Sequence, residues 1–257
     1  MSPRLAFAID AAIKAGRSTM EHFQKGGAVE IKSDGSPLTV ADRNAERLMR
    51  EEIAQHFPGE AILGEEEGAV GTGERRWVLD PIDGTKSFIS GVPLYATLLA
   101  YEEHGEPVLG VCYFPALDEL VYAERGAGTC WTDGSRSDIR SRAAHVSETK
   151  SIEGAVFASG SMGTMARAGR LEGFQMLEAK AMAARTWSDA YGHALVATGR
   201  IVAMVDPVVA TWDISAMAVI VREAGGRFTD FQGDDRLAGE ALSSNGHVHQ
   251  ELLEAFR

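Results

Sequence analysis

Apolar residues alternate between helical and strand-like spacing along this chain. Leu5, Ile9, Ala12, Ile13, Met20 and Phe23 recur every three or four positions, predicting an amphipathic helix from Leu5 to Phe23 that Gly26-Gly27 ends. Ala28 to Lys32 reads as a short strand, and Ser33-Asp34-Gly35-Ser36-Pro37 as a turn. A second helix follows with Thr39 as its cap and Ala41, Ala45, Leu48, Met49, Ile53 and Phe57 on its buried side. Ala61 to Gly64 is a strand ending in Glu65-Glu66-Glu67, with an acidic loop running on to Gly73. Trp77 to Leu79 reads as a buried strand that breaks at Asp80-Pro81-Ile82-Asp83-Gly84. Thr85 then stands where a helix cap would be, ahead of Lys86-Ser87-Phe88.

Further on, Ala96 to Tyr101, Val108 to Tyr113, Leu120 to Ala123 and Thr129 to Trp131 predict strands joined by short turns. Gly126-Ala127-Gly128 lacks the strand–helix context of a phosphate loop and reads as a hairpin turn. Asp133 to Arg142, with Arg136, Arg140 and Arg142, reads as a solvated loop. Val156 to Ser161 is a strand running into a loop, after which strands and helices alternate. Helices are expected at Leu171–Leu177, Ala190–Ala197, Ile214–Ala224 and Val248–Phe256. Strands are expected at Ala181–Ala184, Ile201–Val205, Arg227–Thr229 and Glu240–Ser243. With no repeat and no linker, residues 1–257 are expected to form one compact α/β (α+β) domain. Its two sub-regions are 1–150, α+β with the main acidic site, and 151–257, α/β on the substrate side.

The length suffices for a sizeable core. The 37 acids and 25 bases give a formal charge of −12, which argues against bulk nucleic-acid binding. Two cysteines, Cys112 and Cys130, form no ligand cluster and suit a reducing compartment. No N-terminal apolar segment and no membrane-length run is present, so a cytoplasmic protein with no membrane partner is expected.

Asp80 and Asp83 leave the strand end in a turn, and taken alone such a pair reads more readily as turn residues than as a binding site. Two further acidic ends change the balance: Glu65-Glu66-Glu67 after one strand, and Asp213 just ahead of an apolar helix. Several carboxylates are what a multi-metal phosphoester site requires. Asp42, in the first turn of the second helix, suits the helix dipole or such a site.

The segments Gly64-Glu65-Glu66, Asp80-Pro81-Ile82-Asp83-Gly84-Thr85 and Trp212-Asp213-Ile214-Ser215-Ala216, in that order, resemble the two signatures of the inositol-monophosphatase-like family of Mg²⁺-dependent, lithium-sensitive phosphatases. The resemblance implies a layered α-β-α-β-α sandwich of the type shared with fructose-1,6-bisphosphatase, over essentially the whole chain. It implies two or three Mg²⁺ ions, with Glu65, Asp80 and the Ile82 carbonyl on one and Asp80, Asp83 and Asp213 on another. It implies a water oriented by Thr85 hydrogen-bonded to Asp42, with Glu65 assisting as base, and a phosphate held by the Gly84 and Thr85 backbone N–H groups. Lys32 matches a family position near a third, weaker metal, or is a surface lysine. A homodimer is what the resemblance suggests.

Lys86 departs from the inositol-hydrolysing pattern, and Lys86 to Pro93 looks more like the histidinol-phosphate phosphatase branch. Arg185 to His193 is similar to the stretch in which that branch faces its substrate. Asp189 suits an ammonium or imidazole, or caps the following helix. Trp187 and Tyr191, four apart, suit core packing or stacking on the substrate. Asp206 matches a leaving-group contact, and Arg185 helps fix Asp206 or the phosphate, or is a structural ion-pair residue. His193, among apolar residues, reads as a satisfied core histidine. The expected partner is a small phosphate monoester, with L-histidinol phosphate favoured. The alternatives are a broad inositol-1-phosphate phosphatase and a non-catalytic metal-binding regulator.

Overall fold

A computed structural model describes every residue except 34, 134–140, 188 and 238, and all side chains of the described residues but that of residue 133. The first part of the chain forms α1 (Pro3–Thr19), β1 (Val29–Ile31), β2 (Pro37–Thr39), α2 (Val40–His56), β3 (Ala61–Gly64), β4 (Gly68–Val70), β5 (Arg75–Asp83) and α3 (Thr85–Ile89). Long antiparallel strands β6 (Ala96–Glu103), β7 (Glu106–Phe114), β8 (Glu119–Glu124), β9 (Thr129–Asp133) and β10 (Arg142–Ala144) follow. The second part contains β11 (Val156–Ser159), α4 (Met162–Arg167), α5 (Leu171–Lys180), β12 (Ala183–Arg185) and α6 (Asp189–Ala197). It continues with β13 (Ala203–Asp206), α7 (Thr211–Glu223), β14 (Arg227–Thr229), β15 (Ala241–Ser244) and α8 (His249–Ala255).

Among the described residues one sheet runs β10-β9-β8-β7-β6-β5-β3-β4 and a second runs β12-β11-β13-β15-β14. The large sheet is antiparallel except for β3 beside β5, whereas β11 lies parallel to both β12 and β13. Three apolar layers join these parts. Ala8, Ala12, Met49 and Ile53 of α1 and α2 pack on Trp77, Leu99 and Tyr101. Ala194, Met217, Ile220 and Val221 of α6 and α7 fill the space between the sheets with Leu98, Cys112 and Met204. Phe174, Leu177 and Leu252 of α5 and α8 cover Phe157 and Val205 on the far side. The order is helix, sheet, helix, sheet, helix, as the resemblance implied.

Several boundaries differ from the expected ones for local reasons. Helix α1 stops at Thr19 rather than Phe23, because the Thr19 hydroxyl donates to the Gly16 carbonyl at 2.6 Å and meets the Tyr95 hydroxyl at 2.9 Å. The loop after Glu65 contains β4, paired antiparallel with β3. Strand β5 does not break at Asp80 but continues through Pro81 to Asp83. Thr85 is the first residue of α3, not its cap, since Gly84 takes the cap position at φ 81° in the left-handed region. The expected strand runs into a loop as read, ending at Ser159, and Ser161 closes that loop as the cap of α4, its Oγ accepting from Thr164 N at 3.2 Å. Of the expected arginine loop, Arg136 and Arg140 lie outside the described residues, while Arg142 opens β10 with its guanidinium 3.8 Å from the Trp131 ring centre. Glu223 accepts from Gly126 N and Gly128 N, both at 2.9 Å, which fixes the predicted hairpin turn there. Among the described residues no helix is long and apolar enough to cross a membrane.

Candidate active site

Period-two alternation would put Asp80 and Asp83 on opposite faces of β5, because they are an odd number of residues apart. The register against β6 shows why they are not: Asp80 pairs with Leu98 and Asp83 with Ala96, so β5 carries an extra residue between them. This bulge turns both carboxylates to one side. Pro81 needs no ladder donor there, and its carbonyl accepts from Thr97 Oγ1 at 2.8 Å. Asp80 Oδ1 accepts from Ile82 N at 3.1 Å, and Thr85 Oγ1 donates to the Ile82 carbonyl at 3.2 Å.

Glu65 leaves the end of β3 beside this bulge, its own N–H bonded to the Leu79 carbonyl at 3.2 Å. Lys32 is not a solvated surface lysine. Its Nζ lies 2.8 Å from both Glu65 Oε1 and Glu66 Oε1, which hold the ammonium pKa up despite partial burial. Burial pushes Glu66 up to about 7 against the pull of Lys32. Asp42 takes a different partner from the expected one. Its Oδ2 accepts from Thr39 N at 2.7 Å and Thr39 Oγ1 at 2.5 Å in a capping box, while Oδ1 is buried with no hydrogen-bond partner among the described residues. The Asp42–Thr85 bond expected from the resemblance is thus replaced by bonds from Thr39 to Asp42 and from Thr85 to Ile82.

The second half of the chain closes the site. Asp213 is not ahead of its helix but in the first turn of α7, where Oδ2 accepts from Ala210 N at 2.7 Å. Asp206 ends β13 nearly buried, and the start of α6 brings Asp189 in at φ 60°. A Cβ on Gly84 would stand 3.1 Å from Asp189 Oδ2, so this glycine supplies both a left-handed φ and the room for that carboxylate. These groups line one cavity of about 300 Å³, together with Glu65, Ile82, Thr85 and Lys86, a volume suited to a small ligand.

Ligand oxygens of Asp80, Asp83 and Asp213 all lie within 4.8 Å of one another. Burial first, then Glu65, Asp83 and Asp213, raises Asp80 well above the usual carboxylate range. Asp83 is raised likewise by burial and by Asp189 and Asp213. Burial lifts Asp213 to about 6 and Asp206 to about 8, the latter with help from Asp189 and Asp213. Converging carboxylates that repel one another, with hard oxygen donors only, fit a divalent cation such as Mg²⁺, whose charge would compensate them.

Not every expected contact lies in the cavity. Arg185 is exposed on β12, its Nη1 donating to the Ala184 carbonyl at 2.8 Å, and it does not line the cavity. Trp187 is on the surface, and Tyr191 packs edge-on against Phe114 at 5.3 Å, so neither forms a stacking wall of the cavity. Lys86 is exposed at the rim. His193 is buried as expected, 2.8 Å from Ser243 Oγ, and burial lowers it to about 3, so the ring is neutral. The cavity also takes in Ser36, Gly160, Ser161, Thr164, Val208 and Val209, which sequence reading did not assign.

A family model described as the inositol monophosphatase family matches residues 1–257. A histidinol-phosphatase of Chlorobaculum parvum is 40% identical, covering 100% of this chain and 97% of that protein. A fructose-1,6-bisphosphatase/inositol-1-monophosphatase of Thermotoga maritima is 38% identical over 98% of this chain and 94% of its own length. Among solved structures, an IMPase of Thermotoga maritima aligns with a TM-score of 0.87 at 35% identity, covering 99% of this chain and 97% of that one.

Proposed function

This chain belongs to the inositol monophosphatase family and is a phosphoric monoester hydrolase, and we propose that its substrate is L-histidinol phosphate and its cofactor Mg²⁺. The family is metal-dependent, and Asp80, Asp83, Asp213, Glu65 and the Ile82 carbonyl are the groups that would hold the ions. Bound there, Mg²⁺ supplies a water of lowered pKa and charge neutralisation for the phosphate and leaving oxygens. The residues of the chain do the rest. Gly84 and Thr85 present backbone N–H groups to the phosphate. Of the residues that line the cavity, Thr85 would orient the attacking water through Oγ1 and Glu65 would take its proton, while Asp42, buried against Thr39, stays outside the lining. Lys86 at the rim draws in the phosphate.

The observation that carries the choice of substrate is the second acidic pair. Asp189 and Asp206 line the same cavity as the metal-binding trio, and Lys86 is the one cationic side chain among its described lining residues. A leaving group that carries an ammonium and an imidazole suits that wall, whereas a second phosphate does not. The name of the Chlorobaculum relative supports the same choice. Phosphate release from L-histidinol phosphate with Mg²⁺ and with excess chelator tests it. Turnover that requires Mg²⁺ is expected; magnesium-independent turnover, or none, would reject the reading.

A further inference from the structure

Glu46 lies one helical turn beyond Asp42 on α2 and is fully buried, yet it reaches no part of the cavity lining. Its carboxylate faces the turn that follows Glu65. Oε2 accepts from Glu66 N at 2.8 Å and Oε1 from Glu67 N at 3.0 Å. Arg50, a further turn along α2, places Nε 2.8 Å from the same Oε1 and donates from Nη2 to the Gly68 carbonyl at 2.5 Å. A buried carboxylate is thus met by three N–H donors, and two of them belong to the backbone immediately after Glu65. Room for this arrangement comes from Gly64, where a Cβ would collide with the Glu46 carboxylate and stand 2.7 Å from Arg50 Nη2.

The turn is also closed by the β3–β4 pairing of Gly64 with Gly68, and Arg50 Nε lies 3.5 Å from Glu67 Oε2. Glu65 N is held by Leu79, and Lys32, next to the exposed strand β1, bridges the Glu65 and Glu66 side chains. Glu46 and Arg50 therefore anchor it to the same rigid helix that carries Asp42. We propose that Glu46, oriented by Arg50, is a positioning residue that fixes the direction of the Glu65 carboxylate toward Asp80 and so sets the affinity of the cation site. It touches neither substrate nor metal and acts through the backbone of the turn.

This inference rests on the proposed Mg²⁺ chemistry, and the test separates the two. Mg²⁺ is titrated calorimetrically into the metal-free full-length protein, its Glu46→Gln variant and its Arg50→Lys variant, with unfolding followed in chelator. Glutamine keeps the shape of Glu46 but offers one acceptor oxygen, so at least one turn N–H is lost. A fall in Mg²⁺ affinity of roughly 10-fold or more is expected for Glu46→Gln, the scale seen for outer-sphere partners of metal ligands. A smaller fall of the same sign is expected for Arg50→Lys, which retains the charge but loses the fork. Wild-type protein that binds no Mg²⁺ would reject the functional reading itself. Wild-type binding with unchanged affinity in both folded variants would overturn the inference, as would unfolding of both variants in chelator, which would make the pair a stability element only.

Discussion

The carboxylate of Asp83 accepts the backbone N–H of Ala190 at 2.8 Å across 107 positions of sequence. One oxygen of an acid on β5 thereby anchors the first turn of α6, while the group as a whole belongs to the trio that converges with Asp80 and Asp213. The same side chain joins the two halves of the molecule and places Asp189, one residue earlier, against Gly84. Cavity wall and acid cluster are consequently built by one contact.

Replacing Asp83 by Asn separates these roles. The amide oxygen still accepts from Ala190, so the circular-dichroism spectrum and the metal-free melting temperature are expected to hold or rise as one repelling acid disappears. Turnover is expected to fall by roughly 10³-fold, about 4 kcal/mol of transition-state stabilisation. Activity within tenfold of wild type would show that Asp83 is no part of the cation site.

Stability of the metal-free protein should depend on pH through Asp206. Burial raises its folded pKa to about 8, above the ordinary value near 4, so the folded state holds its proton more tightly than the unfolded chain. That contribution is complete below about pH 4 and is lost as pH rises toward 8. Asp206→Asn, melted in chelator, is therefore expected to gain at least about 3 °C over wild type at pH 9, on the scale of roughly 1 kcal/mol for a chain of this size. At pH 4 the two should melt together. An equal difference at both pH values would place the effect outside this titration.

Mg²⁺ should act in the opposite direction. At a concentration near 100 times its dissociation constant it is expected to stabilise the fold by about 2.7 kcal/mol. This would raise the melting temperature by roughly 5–10 °C. The shift should grow above pH 6, where Asp213 is ionised, and shrink in Asp83→Asn. An unchanged melting temperature in Mg²⁺ would contradict a cation site at the trio.

Much of this site is legible in the chain because its parts are local. The Asp80 to Thr85 segment, the acids after β3 and the Thr39 cap are each readable from neighbours in sequence. What could not be read is what depends on pairing. The bulge between Asp80 and Asp83 exists only against β6, and periodicity alone ends the strand early. Lys32 could be read as a residue near a metal or as a surface lysine until the β1–β2 hairpin brings it to Glu65 and Glu66. The spacing of Trp187 and Tyr191 suits packing or stacking equally; the fold decides it by leaving Trp187 at the surface and packing Tyr191 against Phe114 of β7 in the large sheet. Arg185 fails as a cavity residue because β12 is an edge strand whose outward side is solvent.

The substrate is the central claim, and specificity constants for L-histidinol phosphate and myo-inositol-1-phosphate, measured side by side with Mg²⁺, test it most directly. A preference for histidinol phosphate of about 100-fold, or about 2.7 kcal/mol of differential transition-state binding, is expected, and Asp189→Ala should erase most of it. Equal constants, or a preference for the inositol ester, would contradict the reading of Asp189 and Asp206 as a wall for a cationic leaving group.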